Sequence, residues 1–297
     1  MEPHLLTIKD LVIEADVGGT WQPIVKGLSL RLAQGEVVGL IGESGAGKST
    51  LGLAALGYTK PGCRIRSGSI VLGGQELVDL PESELRKLRG VQVSYVAQSA
   101  AAAFNPAHSL MDQFTEAPIQ HGRLKKPEAQ ERGRQLFRQL QLPDPDHIGQ
   151  RYPHQVSGGQ LQRMMTAMAM GCQPEIVVFD EPTTALDVTT QIEVLSAIKE
   201  AVRARASAAI YITHDLAVVA QVSDRIMVLR DGDLVEEGNT RALLADPREH
   251  YTRRLLSVRS SRNKRMVGEE VDLVLNVEGV TARYPGTQFD VLSNIDV

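Results

Sequence analysis

Continuous apolar runs and amphipathic stretches alternate along this chain. EVVGLIG (36–42), EIVVFD (175–180) and AAIYI (208–212) are short apolar runs, typical of strands that are buried on both faces of a parallel sheet. IEVLSAIKEAVRA (192–204) has apolar residues at helical spacing and predicts an amphipathic helix between two of these runs. Strands that alternate with helices in this way predict an α/β fold.

Other strands are predicted outside these runs. LLTIKDLVIEA (5–15) partly alternates between apolar and polar residues, and PIVKGLSLRLAQGE (23–36) predicts a second strand. GSIVLGGQEL (68–77) predicts a further strand and turn. DRIMVLRDGDLVEEG (224–238) predicts a hairpin that turns at Asp231-Gly232, a dipeptide favoured in tight turns.

The middle of the chain differs in composition and in the spacing of its apolar residues. SAAAAFNPAHSLMDQ (99–113) is rich in small and polar residues, and KKPEAQERGRQLFRQLQLP (125–143) has apolar residues at helical spacing in a charged background. VSGGQLQRMMTAMAMG (156–171) predicts another helix, whose methionines we assign to core packing. We interpret about 99–165 as a helical subdomain inserted into the α/β core.

Near its end, the chain repeats sequence patterns found near its beginning. RSSRNKRMVGEE (259–270) is polar and charged, which is typical of a linker. LNVEGVTARY (275–284) then resembles LTIKDLVIEA (6–15), and VLSNIDV (291–297) resembles IVKGLSL (24–30). Either two short strand patterns match by chance, or the repeat marks a second domain. We predict a domain over 1–258, a linker over 259–272 and the start of a truncated second domain over 273–297.

Composition narrows the range of functions. The net charge is −4, so the chain lacks the basic footprint of a nucleic-acid-binding protein. The two cysteines, Cys63 and Cys172, are far apart and predict neither a disulfide framework nor a zinc site. No apolar run approaches the ~18 residues of a membrane-spanning helix. If the protein acts at a membrane, we expect it to act through a partner.

A glycine-rich loop follows the first apolar run. GESGAGKST (42–50) fits the phosphate-loop pattern, in which backbone N–H groups wrap a phosphate chain, the lysine reaches the β- and γ-phosphates and the hydroxyl ligates Mg²⁺. A chance match is the alternative, but the strand before the loop and the helix after it favour a nucleoside triphosphate site. The residues of this candidate site are Gly42, Glu43, Ser44, Gly45, Ala46, Gly47, Lys48, Ser49 and Thr50.

Polar residues end three of the predicted strands. Asp180 and Glu181 end the strand at 175–180, where a carboxylate beside a phosphate loop has Mg²⁺ as its obvious partner. Gln98 ends a predicted strand, VQVSYVAQ (91–98), and His214 ends the strand that begins with AAIYI (208–212). Each is either a polar site residue at the ligand-binding edge of the sheet or an ordinary surface residue. Trp21, the only tryptophan, either stacks on an adenine or is a partly exposed packing residue.

A second glycine-rich helix start lies at VSGGQ (156–160). Ser157 is a plausible N-cap, and the N–H groups of Gly158, Gly159 and Gln160 would lie in the first turn, which predicts a second anion site.

Taken in order, these motifs resemble the ATP-binding subunits of ABC transporters. The ordered set is the phosphate loop, Gln98, VSGGQ, IVVFDEP (176–182), TALD (184–187) and His214, and it covers residues 1 to about 258. RYPHQVSGGQLQR, DEPTTALDVTTQ and EHYTRRLL resemble the oligopeptide, dipeptide and nickel importer branch. The implied fold is a P-loop NTPase (RecA-like) core with an N-terminal antiparallel β subdomain and an inserted α-helical subdomain.

The resemblance also implies roles. Ser49 and Asp180 would serve Mg²⁺ with help from Gln98, Glu181 would polarise the attacking water, and His214 would contact the γ-phosphate. Ser157, Gly158, Gly159 and Gln160 would cap the γ-phosphate of an ATP bound by an opposite domain, and Asp187 would lie between the two sites. Departures are small: Val156 replaces the usual Leu, and Trp21 is only a candidate for the adenine-stacking aromatic, for which Tyr284 is the counterpart in the second copy.

The implied protein is an ATP-hydrolysing subunit that energises an importer of peptides or similar small solutes. Its partners would be a second ATPase domain (the C-terminal copy or another protomer), transmembrane permease subunits near residues 99–120 and, indirectly, a solute-binding protein. It would sit peripherally at the cytoplasmic face of the inner membrane. The alternative is a soluble, non-transport ABC ATPase of a cytosolic complex.

Overall fold

A computed structural model describes residues 4–183, 188–203, 207–261, 278–283, 290 and 292–296. The chain divides into two compact units, Met1–Leu256 and Ser257–Val297. Asp187 and Tyr284, most of the predicted linker and most of the predicted second-domain start lie outside the described residues. The predictions made for them, and the domain boundaries drawn from them, stay predictions.

Strands and helices alternate through most of the described chain. The strands are β1 Leu6–Val17, β2 Thr20–Leu32, β3 Val37–Ile41, β4 Cys63–Leu72, β5 Gln75–Glu76, β6 Val93–Val96, β7 Ile176–Asp180, β8 Ala208–Ile212, β9 Arg225–Arg230, β10 Asp233–Asn239, β11 Val280–Ala282 and β12 Leu292–Ile295. The α-helices are α1 Lys48–Ala54, α2 Glu82–Leu88, α3 Ala100–Ala103, α4 Leu110–Gln120, α5 Lys126–Gln139, α6 Gly158–Ala169, α7 Val188–Arg203, α8 Leu216–Val222, α9 Thr240–Ala245 and α10 His250–Ser261.

The central sheet has the strand order β10-β9-β3-β8-β7-β6. Its strands run parallel except β10, which pairs with β9 as the predicted hairpin. Every residue of β3, β7 and β8 is buried, which confirms the interpretation of the continuous apolar runs as strands covered on both faces. Because these strands are parallel, their carboxyl ends meet at one edge of the sheet.

A second sheet, β2-β1-β4-β5, is antiparallel. Its long strands β1 and β2 pair from Leu6 opposite Leu32 to Val17 opposite Thr20. Together with the parallel sheet and the helices between its strands, this confirms the predicted α/β core with an antiparallel β subdomain. In the unit Ser257–Val297, β11 pairs with β12 in a separate antiparallel ladder.

The inserted segment is helical, and its buried side chains belong to the same apolar cluster as residues of β3, β7 and β8. Phe114 of α4 and Phe137 of α5 are buried and meet edge to face, with ring centroids 5.5 Å apart. Met164 of α6 is also fully buried, so its assignment to the core is confirmed. Among the described residues, no helix is both long enough and apolar enough to span a bilayer.

Three helices have bounds that the sequence pattern did not predict. The short α3 occupies the alanine run within the segment interpreted as helical. The helix α4 is capped by Ser109, whose side chain accepts a hydrogen bond from the Asp112 N–H, and it continues through Pro118. Asp215 caps α8 in the same way, by accepting from the N–H groups of Ala217 and Val218. In α4 and α8 a capping side chain satisfies the first turn, and burial of one helix face stabilises the rest.

Candidate functional site

The phosphate loop joins β3 to α1 and requires glycine at two positions. Gly42 has φ 153° and Gly47 has φ 89°, both in the region that side chains disfavour. A Cβ on Gly42 would lie 2.1 Å from the Leu229 carbonyl oxygen, and one on Gly47 would lie 2.7 Å from that of Ile24. The loop can therefore pass this close to its neighbours only without side chains at these positions.

Lys48 is buried at the first position of α1. Its Nζ donates hydrogen bonds to the carbonyl oxygens of Gly42 and Glu43, at 2.8 and 2.9 Å. Burial lowers the pKa of Lys48, and the nearby carboxylates of Glu181 and Asp180 oppose that shift. The ammonium group is thus held inside the loop, where an anionic ligand would favour its charged form.

Asp180 ends β7, and two hydroxyl groups donate hydrogen bonds to it. Ser49 Oγ donates to Oδ1 at 2.9 Å, and the Tyr95 hydroxyl donates to Oδ2. Burial and the contact with Asp180 raise the pKa of Tyr95, so its phenol remains a donor. The carboxylate is buried, yet both of its oxygen atoms have a partner.

Glu181 follows with an unusual backbone conformation. Its φ is 46°, in the left-handed region, while its N–H donates to the Ile212 carbonyl oxygen of β8. Its carboxylate lies between two side chains: Gln98 Nε2 donates to Oε2 at 3.2 Å, and His214 Nδ1 is 3.2 Å from Oε1.

The sheet topology explains this convergence. β6, β7 and β8 are adjacent parallel strands, and Gln98, Asp180–Glu181 and His214 stand at or just beyond their carboxyl ends. The phosphate loop leaves the carboxyl end of β3, which is next to β8.

The converging groups line one cavity of about 880 Å³. That volume falls within the range of about 300–1,000 Å³ typical of small-molecule sites. The lining consists of residues 42–50 together with Gln98, Glu181, His214, Ile24, Lys60 and Leu255. The structure thus brings together the phosphate loop and the polar residues predicted at the strand ends, with Asp180 reached through Ser49.

Trp21 and the second glycine-rich helix start lie elsewhere. The described residues that line the cavity do not include Trp21, whose ring instead lies under the Arg64 guanidinium, 4.0 Å from the ring centroid. The two interpretations of Trp21 stay open. Ser157 caps α6 by accepting from the Gln160 N–H, and Gln160 Oε1 accepts from the Ser157 N–H in return. Ser157 and Gly158 are exposed and do not belong to the lining either.

The donor set suits a magnesium ion that is held partly by phosphates. Ser49 Oγ and the Asp180 carboxylate are hard oxygen donors in contact with each other beside the cavity, which is the chemistry Mg²⁺ prefers. Within the described part of the chain, no group of three or more His, Cys, Asp and Glu side chains could hold a metal ion. The residues therefore fit Mg²⁺ bound by one or two protein ligands plus substrate oxygen atoms.

Sequence reasoning missed the residues that reach the site through tertiary contacts. Tyr95 contacts Asp180, and the Tyr251 hydroxyl accepts a hydrogen bond from the Glu43 N–H at 3.2 Å. Ile24, Lys60 and Leu255 line the cavity. No local motif marks these positions. Tyr251 and Leu255 lie within EHYTRRLL (249–256), which resembles the importer branch but does not by itself indicate a place in the nucleotide site.

Comparison with known proteins places the chain among ATP-binding subunits. A family model described as ABC transporter matches residues 25–184. The chain is 37% identical over 254 residues, 85% of this chain and 72% of the relative, to the oligopeptide transport ATP-binding protein AmiE of Streptococcus pneumoniae. It is 38% identical over 85% of this chain and 76% of the relative to the dipeptide transport ATP-binding protein DppD of Bacillus subtilis.

Solved structures agree with the fold. A dimeric post-hydrolysis state of the ATP-binding cassette MJ0796, bound to ADP and Pi, matches 80% of this chain and 99% of its own with a TM-score of 0.71 and 25% identity.

Proposed function

This chain belongs to the ABC transporter family and is an ATPase, and from that premise we propose that it energises an importer of oligopeptides or dipeptides. The observation that carries the proposal is the single cavity in which the phosphate loop meets Gln98, Glu181 and His214. A triphosphate needs backbone donors, a fixed cation and a group that orients water, and this cavity offers all three.

The residues divide the chemistry between them. The backbone of 42–50 and the Lys48 ammonium bind the phosphates. The Glu181 carboxylate orients and polarises the attacking water and can accept its proton, because Gln98 and His214 hold its two oxygen atoms in place. His214 also contacts the γ-phosphate.

Magnesium would be held by Ser49 and Asp180, with Gln98 assisting. When bound, it supplies neutralisation of the charge on the phosphate oxygens. Tyr95 keeps the Asp180 carboxylate oriented toward this position.

The partner proposed for hydrolysis is a second ATPase domain. The helix start at Ser157, Gly158, Gly159 and Gln160, of which Ser157 and Gly158 are exposed, lies outside the lining of this chain's own cavity. Its N–H groups suit the γ-phosphate of an ATP bound opposite. The MJ0796 cassette is dimeric, which supports the proposed pairing.

Peptide cargo and membrane partners are the finer part of the proposal. The relatives are named oligopeptide and dipeptide transport ATP-binding proteins, which supports a peptide importer here. Permease subunits would contact residues 99–120, a solute-binding protein would act through them, and the subunit would lie at the cytoplasmic face of the inner membrane.

The test is Lys48→Ala beside Lys87→Ala. Lys87 is an exposed lysine of α2 that pairs with Glu84, so its loss controls for the change of charge. We expect the parent and Lys87→Ala to bind and hydrolyse Mg·ATP, and Lys48→Ala to lose binding in calorimetry. Cells that lack the gene should regain uptake of a labelled dipeptide with the parent or with Lys87→Ala but not with Lys48→Ala, and permease subunits should co-purify with the parent. ATPase activity without membrane partners would favour the soluble alternative.

A further inference from the structure

The phosphate loop begins against a helix that lies outside the segment matched by the family model. The match ends at residue 184, whereas α10 spans His250–Ser261. Tyr251, in the first turn of α10, accepts a hydrogen bond from the Glu43 N–H at 3.2 Å. A side chain 208 residues away in sequence thus contacts the second residue of the loop.

Tyr251 is fixed on several sides. Only 8% of its surface is exposed, and the Arg230 guanidinium lies 5.0 Å from its ring centroid. Burial raises the pKa of the Tyr251 phenol, so the neutral hydroxyl persists and its oxygen stays available as an acceptor. The ring therefore has little freedom to leave the Glu43 amide.

The helix that carries Tyr251 is itself anchored to the sheet. Glu236 of β10 accepts hydrogen bonds from the N–H groups of Arg248 and Glu249, at 2.8 and 3.2 Å, just before α10 begins. A carboxylate at a helix N-terminus satisfies donors that lack helical partners. One turn after Tyr251, Leu255 lines the nucleotide cavity.

The start of the loop is thereby held from two sides. On one side Gly42 passes so close to the Leu229 carbonyl of β9 that a Cβ would lie 2.1 Å away. On the other side Tyr251 holds the neighbouring amide. A loop whose N–H groups must point at phosphates binds them better when its conformation is fixed beforehand.

We propose that Tyr251 is a positioning residue for the nucleotide, which fixes the start of the phosphate loop by accepting the Glu43 N–H and so makes α10 part of the ATP site. This rests on the proposed function for the identity of the ligand. Tyr251 belongs to none of the groups already described, which are the phosphate loop, the strand-end residues and the second helix start.

The test compares Tyr251→Phe with Tyr58→Phe in the full chain. Both variants remove one hydroxyl group, but Tyr58 is a half-exposed residue after α1 whose ring lies under Arg89. Calorimetry with Mg·ADP measures the Kd without hydrolysis. We expect Tyr251→Phe to weaken binding about 2- to 10-fold, the net value of one hydrogen bond, and Tyr58→Phe to leave it unchanged.

Hydrogen exchange supplies a second readout on the nucleotide-free protein. Peptides that cover residues 42–47 should exchange faster in Tyr251→Phe than in the parent, while peptides from β1 and β2 should not change. A Kd within twofold of the parent, or unchanged exchange at 42–47, would overturn the proposal. A parent that fails to bind Mg·ADP would overturn the proposed function instead, and the exchange experiment would still test the contact between Tyr251 and Glu43.

Discussion

Two glycine-rich helix starts, the phosphate loop at 42–50 and the segment at 156–160, differ in what their glycines are for. In the loop, Gly42 and Gly47 have positive φ and no space for a Cβ. In the second segment, Gly158 is exposed and nothing lies within 4 Å of where its Cβ would be. Gly42 and Gly47 are required by this chain's own packing, whereas Gly158 is not.

The two segments therefore separate glycines that the fold requires from a glycine that only the binding of a ligand would require. The loop has a buried lysine, and carboxylates lie nearby, so together they form a nearly complete site for phosphate and water chemistry. The helix start at Ser157 has satisfied its capping groups and still presents bare backbone to the exterior. We propose that this helix start binds the γ-phosphate of an ATP held by another domain, a role that would account for a glycine at 158.

The largest effect is expected from a change in the phosphate-loop cavity, at Glu181. Glu181→Gln keeps the size of the side chain and its place between Gln98 and His214, but it removes the carboxylate. We expect ATP binding to persist and hydrolysis to fall about 10²–10⁴-fold, the usual contribution of a positioned base. Phosphate release and equilibrium binding measure the two effects. Equal hydrolysis by the parent and the variant would remove Glu181 from this role.

A matched pair of substitutions tests whether the glycines of the two segments differ in their contribution to stability. Gly47→Ala adds a Cβ at φ 89°, 2.7 Å from the Ile24 carbonyl oxygen, so we expect the free energy of unfolding to fall by about 1–3 kcal/mol. Gly158→Ala adds the same group in open space, so we expect a change within about 0.5 kcal/mol. Denaturant titration of both variants checks this. Equal losses at the two positions would show that the segments do not differ as described.

Pairing across the second helix start is tested by Ser157→Arg in the Glu181→Gln background. We expect self-association with Mg·ATP, seen in sedimentation, to weaken by roughly tenfold because added bulk in a packed interface costs about 1–3 kcal/mol.

The matched control for that experiment is Ser109→Arg. It removes an equivalent N-cap, from α4, without changing the helix start at 157–160. Both variants should lose similar stability, so a loss of pairing in both would assign the effect to the cap. A parent chain that hydrolyses ATP fully as a strict monomer would contradict the shared site.

The smallest effect concerns the orientation of Asp180. Tyr95→Phe keeps the ring and removes the hydroxyl that donates to Oδ2. We expect the Mg²⁺ concentration for half-maximal ATP hydrolysis to rise about 2- to 10-fold, the net value of one hydrogen bond, with Tyr58→Phe as the control. An unchanged Mg²⁺ requirement would mean that Ser49 and the backbone alone orient the carboxylate.

The sequence predicted the parts of the molecule that are determined locally. Continuous apolar runs identified β3, β7 and β8. Of the two interpretations of Gln98 and His214, the one that placed them with Asp180 and Glu181 followed from the edge that parallel strands share. The helix α4 lies within the segment interpreted as a helical subdomain, but its bounds were not predicted, because Pro118 and the small residues before Ser109 argue against a helix in isolation. Its packing against α5 and α6 favours one.

The contacts of Tyr95 and Tyr251 could not be predicted by pattern. Tyr95 reaches a carboxylate 85 residues away, and Tyr251 reaches an amide 208 residues away. Such pairs depend on the order of strands in the sheet and on the path of α10, which no local window contains. For Trp21, residue type alone raised the adenine-stacking interpretation. Its ring lies beneath Arg64 in β2 and outside the described lining of the cavity, and both interpretations stay open.

Because Glu181 has a left-handed backbone conformation, thermal stability and the proposed ATP hydrolysis favour different residues at this position. A side chain at φ 46° is unfavourable by about 1–3 kcal/mol relative to glycine. Glu181→Gly would relieve that strain and abolish the proposed hydrolysis in the same step. A library of this chain sorted only for survival at high temperature should therefore enrich variants at 181 that retain nucleotide and no longer turn it over, so any engineering of a sturdier subunit has to select for activity as well.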